Sequence, residues 1–320
     1  MPAPARSSGD LLADRRYAWA EAVLADGDAG AAADLAAQVL ERAPGYAPAW
    51  LLLGRARAAD PALRADAPEA FRAALALDPE DSLGARLHLV ELGLEEFDWD
   101  ELDLGEFDLA AEEAISPAYV RALFDGYAGR FERHLVEGLG YRGPALIREA
   151  LERLRGPDAS FPRVLDLGCG TGLMARALDG IAGTLAGIDL SPGMLAEARR
   201  TGLYARLHEG DLRDFLRAEP PSSADLAVAA DVFIYLREIG PVLRETTRVL
   251  APGGLFAFTV QGHAGARGTV LGADGRYAHG VESLQEDAAA AGLRVALLEP
   301  AEIRRQNGAG VPGWLAVLAR

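Results

Sequence analysis

Residues 164–172 read Val-Leu-Asp-Leu-Gly-Cys-Gly-Thr-Gly. Val164, Leu165 and Leu167 around Asp166 make a short buried strand, and three glycines in the next five positions form a turn where backbone amides can approach a ligand closely. Downstream the texture alternates. Further strands are predicted at 184–189, 204–209, 225–230, 255–260, 294–298 and 314–318. Helices are predicted at 192–200, 240–250 and 283–291. Such alternation implies a mostly parallel sheet covered on both faces, and right-handed crossovers make it doubly wound. In these sheets ligands bind outside the carboxyl ends of the strands, where the strand order reverses.

The glycine spacing narrows the ligand. A dinucleotide fingerprint needs a third glycine at 173, which is Leu173, and no Lys-Ser/Thr follows for a phosphate-binding P-loop. The tighter Gly168, Gly170, Gly172 set after Asp166 suits a nucleoside with an amino-acid tail, which points to S-adenosylmethionine. Asp189 ends the second strand, 21 residues after Gly168, where a carboxylate accepts ribose hydroxyls. Leu190 is placed to pack on the adenine edge, and Asp211 with Leu212 to meet the adenine from the third strand. Cys169, the single cysteine, reads as a small packing residue and excludes an internal disulfide or a cysteine-only metal cluster. The five histidines show no metal-ligand spacing, so no metal is expected.

Upstream the chain is different. The first ninety residues are Ala- and Leu-rich at helical spacing. Pro44 and Pro79 close two helical stretches, with Trp50, Leu53, Gly54, Ala67, Phe71 and Ala74 between them. This resembles the tetratricopeptide (TPR) pattern with one residue inserted. Eleven carboxylates lie between Glu91 and Glu113, so most of the net charge of −16 is one local segment. That balance argues against a nucleic-acid partner. No apolar run reaches the length of a membrane span, so the cytoplasm is the expected address. Ser116-Pro117 then starts a helix bearing Tyr119, Phe124, Tyr127 and Phe131. A further helix is expected over 144–155. The domains are read as 1–94 (TPR-like helical), 95–115 (acidic linker) and 116–320 (α/β).

"VLDLGCGTG", "GIDLSPGML", "EGDL", "ADLAVAADVFIYL" and "VLAPGGLFAF" stand in order from residue 164 to 258. With them, residues 160–320 resemble class I S-adenosylmethionine-dependent methyltransferases. "SPAYVRALFDGYAGRFERHLVEGLGYRGPALI" and "GRYAHGVESLQEDAAAAGL" extend the likeness to bacterial methyltransferases with N-terminal TPR repeats. The resemblance implies a Rossmann-like seven-stranded sheet in the order 3-2-1-4-5-7-6, with the last strand antiparallel. It implies that Asp166 and Gly168, Cys169, Gly170 and Gly172 hold the methionine part of the cofactor. Met194 joins the pocket, Tyr127 lies on a lid helix, and Asp231 lies near the sulfonium. Gln261 stands where Glu is expected.

On the acceptor side, Asp231, Tyr277 and His279 are the candidate catalytic residues, with His279 as base or as a structural histidine. No Asn/Asp-Pro-Pro-Tyr follows the fourth strand, which weakens a nucleic-acid N-methyltransferase reading. The expected acceptor is a small or carrier-bound molecule. A protein acceptor recruited by the helical module and a non-catalytic scaffold are the alternatives.

Overall fold

The computed structural model describes residues 7–96, 114–126, 140–272, 274–306 and 309–320. The chain divides into two units, Met1–Ala122 and Leu123–Arg320. The acidic stretch 97–113, Tyr127, Phe131 and His134 lie outside the described residues.

The first unit is helical: α1 (Leu11–Ala25), α2 (Ala29–Arg42), α3 (Ala47–Ala59), α4 (Ala67–Leu77) and α5 (Ala85–Glu96). Asp10 and Asp28 cap the first two helices through backbone amides. Each helix packs on the next, and alanines at the contacts, among them Ala32, Ala36, Ala49, Ala56 and Ala70, keep the axes close. Gly54 is the tightest point. A Cβ there would lie 2.5 Å from the ring of Phe71, itself fully buried. A helical glycine ordinarily gains stability on becoming alanine, but overpacking costs about 1–3 kcal/mol. Gly54→Ala is therefore expected to lower the thermal midpoint of this unit, measured on the full chain. An unchanged or higher midpoint would mean that Phe71 does not set the helix spacing.

Ser116 opens α6 (Pro117–Asp125): its hydroxyl accepts from the Tyr119 amide at 3.0 Å and donates to the Asp81 carbonyl at 2.9 Å.

The second unit runs α7 (Gly143–Arg155), β1 (Phe161–Leu167), α8 (Leu173–Ala177), β2 (Ala182–Asp189), α9 (Pro192–Arg200), β3 (Arg206–Glu209), α10 (Leu212–Ala218), β4 (Ala224–Ala230), α11 (Gly240–Val249) and β5 (Leu250–Gln261). A hairpin of β6 (Thr269–Leu271) and β7 (Tyr277–His279), then α12 (Val281–Ala290), β8 (Arg294–Gln306) and β9 (Ala309–Ala319) complete it. The sheet order is β3-β2-β1-β4-β5-β9-β8, parallel from β3 to β5, with β9 antiparallel to both neighbours. With the hairpin set aside, this is the order that the resemblance implies. Alternate residues feed two cores. Leu165, Leu167, Phe256 and Phe258 pack with α10, α11 and α12. Val164, Leu255 and Ala257 pack with α7 and α8. β1 pairs with β2 on one side and β4 on the other, so the strand order reverses there.

Two elements depart from the sequence reading. Thr269–Leu271 and Tyr277–His279, for which no strand is predicted, pair as the β6–β7 hairpin. β8 runs on to Gln306 instead of ending at 298, because the long pairing with β9 overrides the charges of Glu299, Glu302 and Arg304.

Candidate cofactor and acceptor site

The glycine loop leaves β1 with Gly168, Gly170 and Gly172 at φ of +71°, +53° and +92°. Only glycine adopts such angles without strain. Gly168 also has no room for a side chain, since a Cβ would lie 2.6 Å from Val232.

Asp189, at the end of β2, braces this loop. One carboxylate oxygen accepts from the Gly170 amide at 2.8 Å and the other from the Ser191 amide at 2.9 Å. Its own carbonyl accepts from Gly210, past the end of β3, at 3.0 Å. The residue therefore ties the loop to two neighbouring strand ends. Burial raises its pKa above the usual carboxylate value, and Asp125 nearby adds to the rise.

Asp166 is fully buried beneath the loop. Its Oδ2 accepts from the Tyr204 hydroxyl at 2.5 Å, while its Oδ1 has no hydrogen-bond partner. Burial pushes its pKa up to about 7, the Tyr204 bond opposes the shift, and the Asp189 charge adds to it. Buried polar atoms are normally paired, so an unpaired carboxylate oxygen points to a missing donor. The Cys169 thiol is buried beside these carboxylates and is pushed well up by burial first and their charges second. It packs against Gly187 and is poorly suited to act as a nucleophile.

Asp125, at the end of α6, accepts from the Ser191 hydroxyl at 2.5 Å and the Gly193 amide at 3.1 Å. Ser191 in turn caps α9 through the Met194 amide, and Met194 is buried at the first turn of that helix. Leu190 and Leu212 are half-buried at the ends of β2 and the start of α10. Asp211 caps α10 through the Arg213 amide at 2.7 Å and meets the Arg213 guanidinium at 3.3 Å. Its carboxylate thus has structural partners already.

The ends of β4, β5 and β8 converge on a second polar group. Asp231 sits in the left-handed region at φ +60°, and its amide donates to Thr259 Oγ1 at 3.0 Å. Nη1 of Arg304 meets both its carboxylate oxygens, at 2.7 and 2.6 Å. Nη2 of Arg304 donates to Gln261 Oε1 at 2.7 Å. Gln261 Nε2 reaches Asp274 at 3.4 Å. Burial raises the Asp231 pKa, and Arg304 is the strongest group opposing the rise. Tyr141 and Tyr235 flank this group, both with hydroxyls pushed above the usual phenol value by burial. Phe124 of α6 packs edge-on to Tyr235, ring centroids 5.6 Å apart.

His279, expected as a base or as a structural histidine, has protein partners at both ring nitrogens. The ring is buried, Nε2 lies 3.0 Å from the Phe233 carbonyl and Nδ1 lies 3.3 Å from Thr269 Oγ1. Burial lowers its pKa. A neutral ring donating from Nε2 and accepting at Nδ1 holds the hairpin to the turn after β4 and has no free nitrogen for an acceptor. Tyr277 is buried on the same hairpin, paired with Leu271. Sequence reasoning missed Tyr204, Asp125, Arg276 and Arg304; Asp125 and Arg276 lie within segments that carry the family resemblance, Tyr204 and Arg304 in none.

The site fits a cationic ligand. Asp166 and Asp189 are held by a phenol and by backbone amides, with no guanidinium between them and the loop among the described residues. This favours an ammonium and a sulfonium and disfavours a pyrophosphate.

Comparison with known proteins gives the same class. Residues 165–258 match the family model described as "Methyltransferase domain". The second unit shares the fold of class I S-adenosylmethionine-dependent methyltransferases. A dTDP-3-amino-3,6-dideoxy-alpha-D-glucopyranose N,N-dimethyltransferase of Streptomyces fradiae is 44% identical over 82 residues, 26% of this chain and 31% of that protein. A malonyl-[acyl-carrier protein] O-methyltransferase of Serratia marcescens is 28% identical over 47% of this chain and 55% of its own length. A trans-aconitate 2-methyltransferase of Methylobacterium nodulans is 41% identical over 32% of this chain and 40% of its own length. The chain thus spans about a third to a half of these relatives. The solved 1,6-didemethyltoxoflavin-N1-methyltransferase of Burkholderia thailandensis shares the fold at 18% identity and a TM-score of 0.50, over 63% of this chain and 88% of that one.

Proposed function

We propose that the chain transfers a methyl group from S-adenosylmethionine to a small-molecule or carrier-bound acceptor. The observation that carries this reading is Asp166, buried with one carboxylate oxygen unpaired directly under a glycine loop braced by Asp189. In this reading Asp166 and Gly168, Cys169, Gly170 and Gly172 hold the methionine part and Asp189 the ribose. Leu190, Met194, Asp211 and Leu212 enclose the adenine, Tyr127 closes over it, and Asp231 stands toward the sulfonium. When bound, the cofactor supplies an electrophilic methyl carbon on a positively charged sulfur.

The chain's own residues supply position and dryness. Asp189 fixes the loop's height on the sheet through the Gly170 amide, and Phe124 packs on Tyr235 beside Asp231 and Arg304. Alignment of a nucleophile in such a water-poor site provides most of the acceleration expected of in-line displacement. Asp231 is tied to Arg304 through both oxygens, which opposes the basicity that burial gives it. An acceptor that loses its proton to water after transfer suits this site better than one needing a strong base. The relatives named for a dTDP-amino sugar, for trans-aconitate and for a malonyl-[acyl-carrier protein] support a small or carrier-bound acceptor.

Calorimetry with S-adenosylhomocysteine tests the cofactor half: saturable binding is expected. Incubation with S-adenosylmethionine and acceptor mixtures tests the reaction, with release of S-adenosylhomocysteine as readout. Absence of both would overturn the proposal.

For the helical unit we infer two TPR repeats. Gly54 under Phe71 and the bond from Trp50 Nε1 to the Pro44 carbonyl at 2.8 Å support it, because they join the small, large and turn positions of the pattern.

A further inference from the structure

Resting on that reading, the acceptor half of the site carries information about what is methylated. Arg276 immediately precedes β7, its side chain 28% exposed beside Asp274, which Gln261 also reaches. Its guanidinium interacts with the Tyr235 hydroxyl and feels the Asp231 charge. Among the described residues its ion-pair partner is Asp274, whose Oδ2 is 3.7 Å away, beyond hydrogen-bond reach. A partly open guanidinium with N–H groups not committed to a carboxylate is a planar oxyanion receptor.

The surroundings keep that receptor available. Asp231 would otherwise be the natural partner for Arg276. Arg304 occupies it instead, contacting both oxygens from a position 1% exposed, and leaves its own Nε unpaired. Gln261, where the family resemblance leads one to expect a carboxylate, takes the other arm of Arg304 as a neutral amide. A glutamate there would add a negative charge to the acceptor side. Asp274 contributes a second carboxylate, and Gln261 Nε2 donates to its Oδ2. The Tyr141 hydroxyl, close enough to Asp231 and Arg304 to feel both charges, offers a further donor.

We propose that Arg276, with Tyr235 beside it, reads a carboxylate or similar planar oxyanion on the methyl acceptor, while Arg304 keeps Asp231 from competing for or repelling that anion. Arg276 is then a specificity-determining residue and Arg304 a positioning one.

The test uses the full chain saturated with S-adenosylhomocysteine, so that the cofactor half is filled. Malonate is the probe and malonamide its uncharged counterpart, both titrated by calorimetry and by thermal shift. Malonate is expected to bind saturably and malonamide not to. Arg276→Gln should weaken malonate binding roughly tenfold or more, the worth of one charge-assisted contact. Arg276→Lys, which keeps the charge but not the fork, should recover part of the loss. Measured affinity for S-adenosylhomocysteine reports whether each variant is folded. Malonate binding that is absent, matched by malonamide, or untouched by Arg276→Gln overturns the assignment. If S-adenosylhomocysteine itself does not bind, the cofactor reading fails separately, and malonate titrated into the unloaded chain still decides the role of Arg276.

Discussion

Asp189→Ala is expected to weaken S-adenosylhomocysteine binding by roughly a hundredfold or more in calorimetry. The carboxylate has two roles in the proposed site. It accepts from the Gly170 and Ser191 amides, which sets the position of the loop. It is also placed to accept ribose hydroxyls. A hydrogen bond to a charged group contributes about 1.5–3 kcal/mol, so two lost ribose contacts already reach the stated factor. Loosening of the loop adds to it. Asp189→Asn keeps one acceptor oxygen and should fall between alanine and the wild type. The melting temperature of Asp189→Ala should fall as well, because the Gly170 and Ser191 amides lose their acceptor. Binding by Asp189→Ala at wild-type strength would remove Asp189 from the site.

What was legible in the sequence follows the range of the interactions. Val164 to Leu167 and the glycines form a local pattern, and the strand–helix alternation after it leaves few allowed topologies. The sheet order could be anticipated for that reason. Asp189 was legible because a strand end at fixed spacing from the glycine loop is itself a topological address. Tyr204 was not: its hydroxyl meets Asp166 from 38 residues away, through a loop without signature. Arg304 was hidden more deeply. A charged residue is expected at the surface, and its partner Asp231 lies 73 residues earlier. Only the pairing of β8 with β9 brings it beneath the end of β4. His279 could be read from the sequence as a base or as a structural histidine, and its partners on Phe233 and Thr269, 46 and 10 residues away, favour the second.

Asp166→Asn is expected to stabilise the ligand-free protein and to weaken the cofactor complex, with both effects growing as pH rises. The Asp166 carboxyl has its pKa raised from 3.8 to about 7, chiefly by burial. A raised acid favours the folded state fully below the unfolded value, and that advantage is lost as pH climbs from about 4 to about 7. Above pH 7 the folded chain carries a buried carboxylate whose only side-chain donor among the described residues is Tyr204. Asparagine has no such cost, so the variant should unfold later at pH 8 by about 2–4 kcal/mol and show little difference near pH 4. Cofactor binding runs the other way. The ionised carboxylate, with Oδ1 free, is the natural partner for the ammonium of the methionine part. Wild-type affinity for S-adenosylhomocysteine should therefore gain on that of the variant by about tenfold between pH 6 and pH 8. The ligand's own amine titrates identically in both proteins, so the ratio of affinities isolates Asp166. A ratio flat with pH, or a variant no more stable than wild type at pH 8, would mean that Asp166 is not the group that meets the cofactor's amino-acid end. Stability given up at one buried carboxylate would then need another purpose, since such strain usually persists where binding uses it.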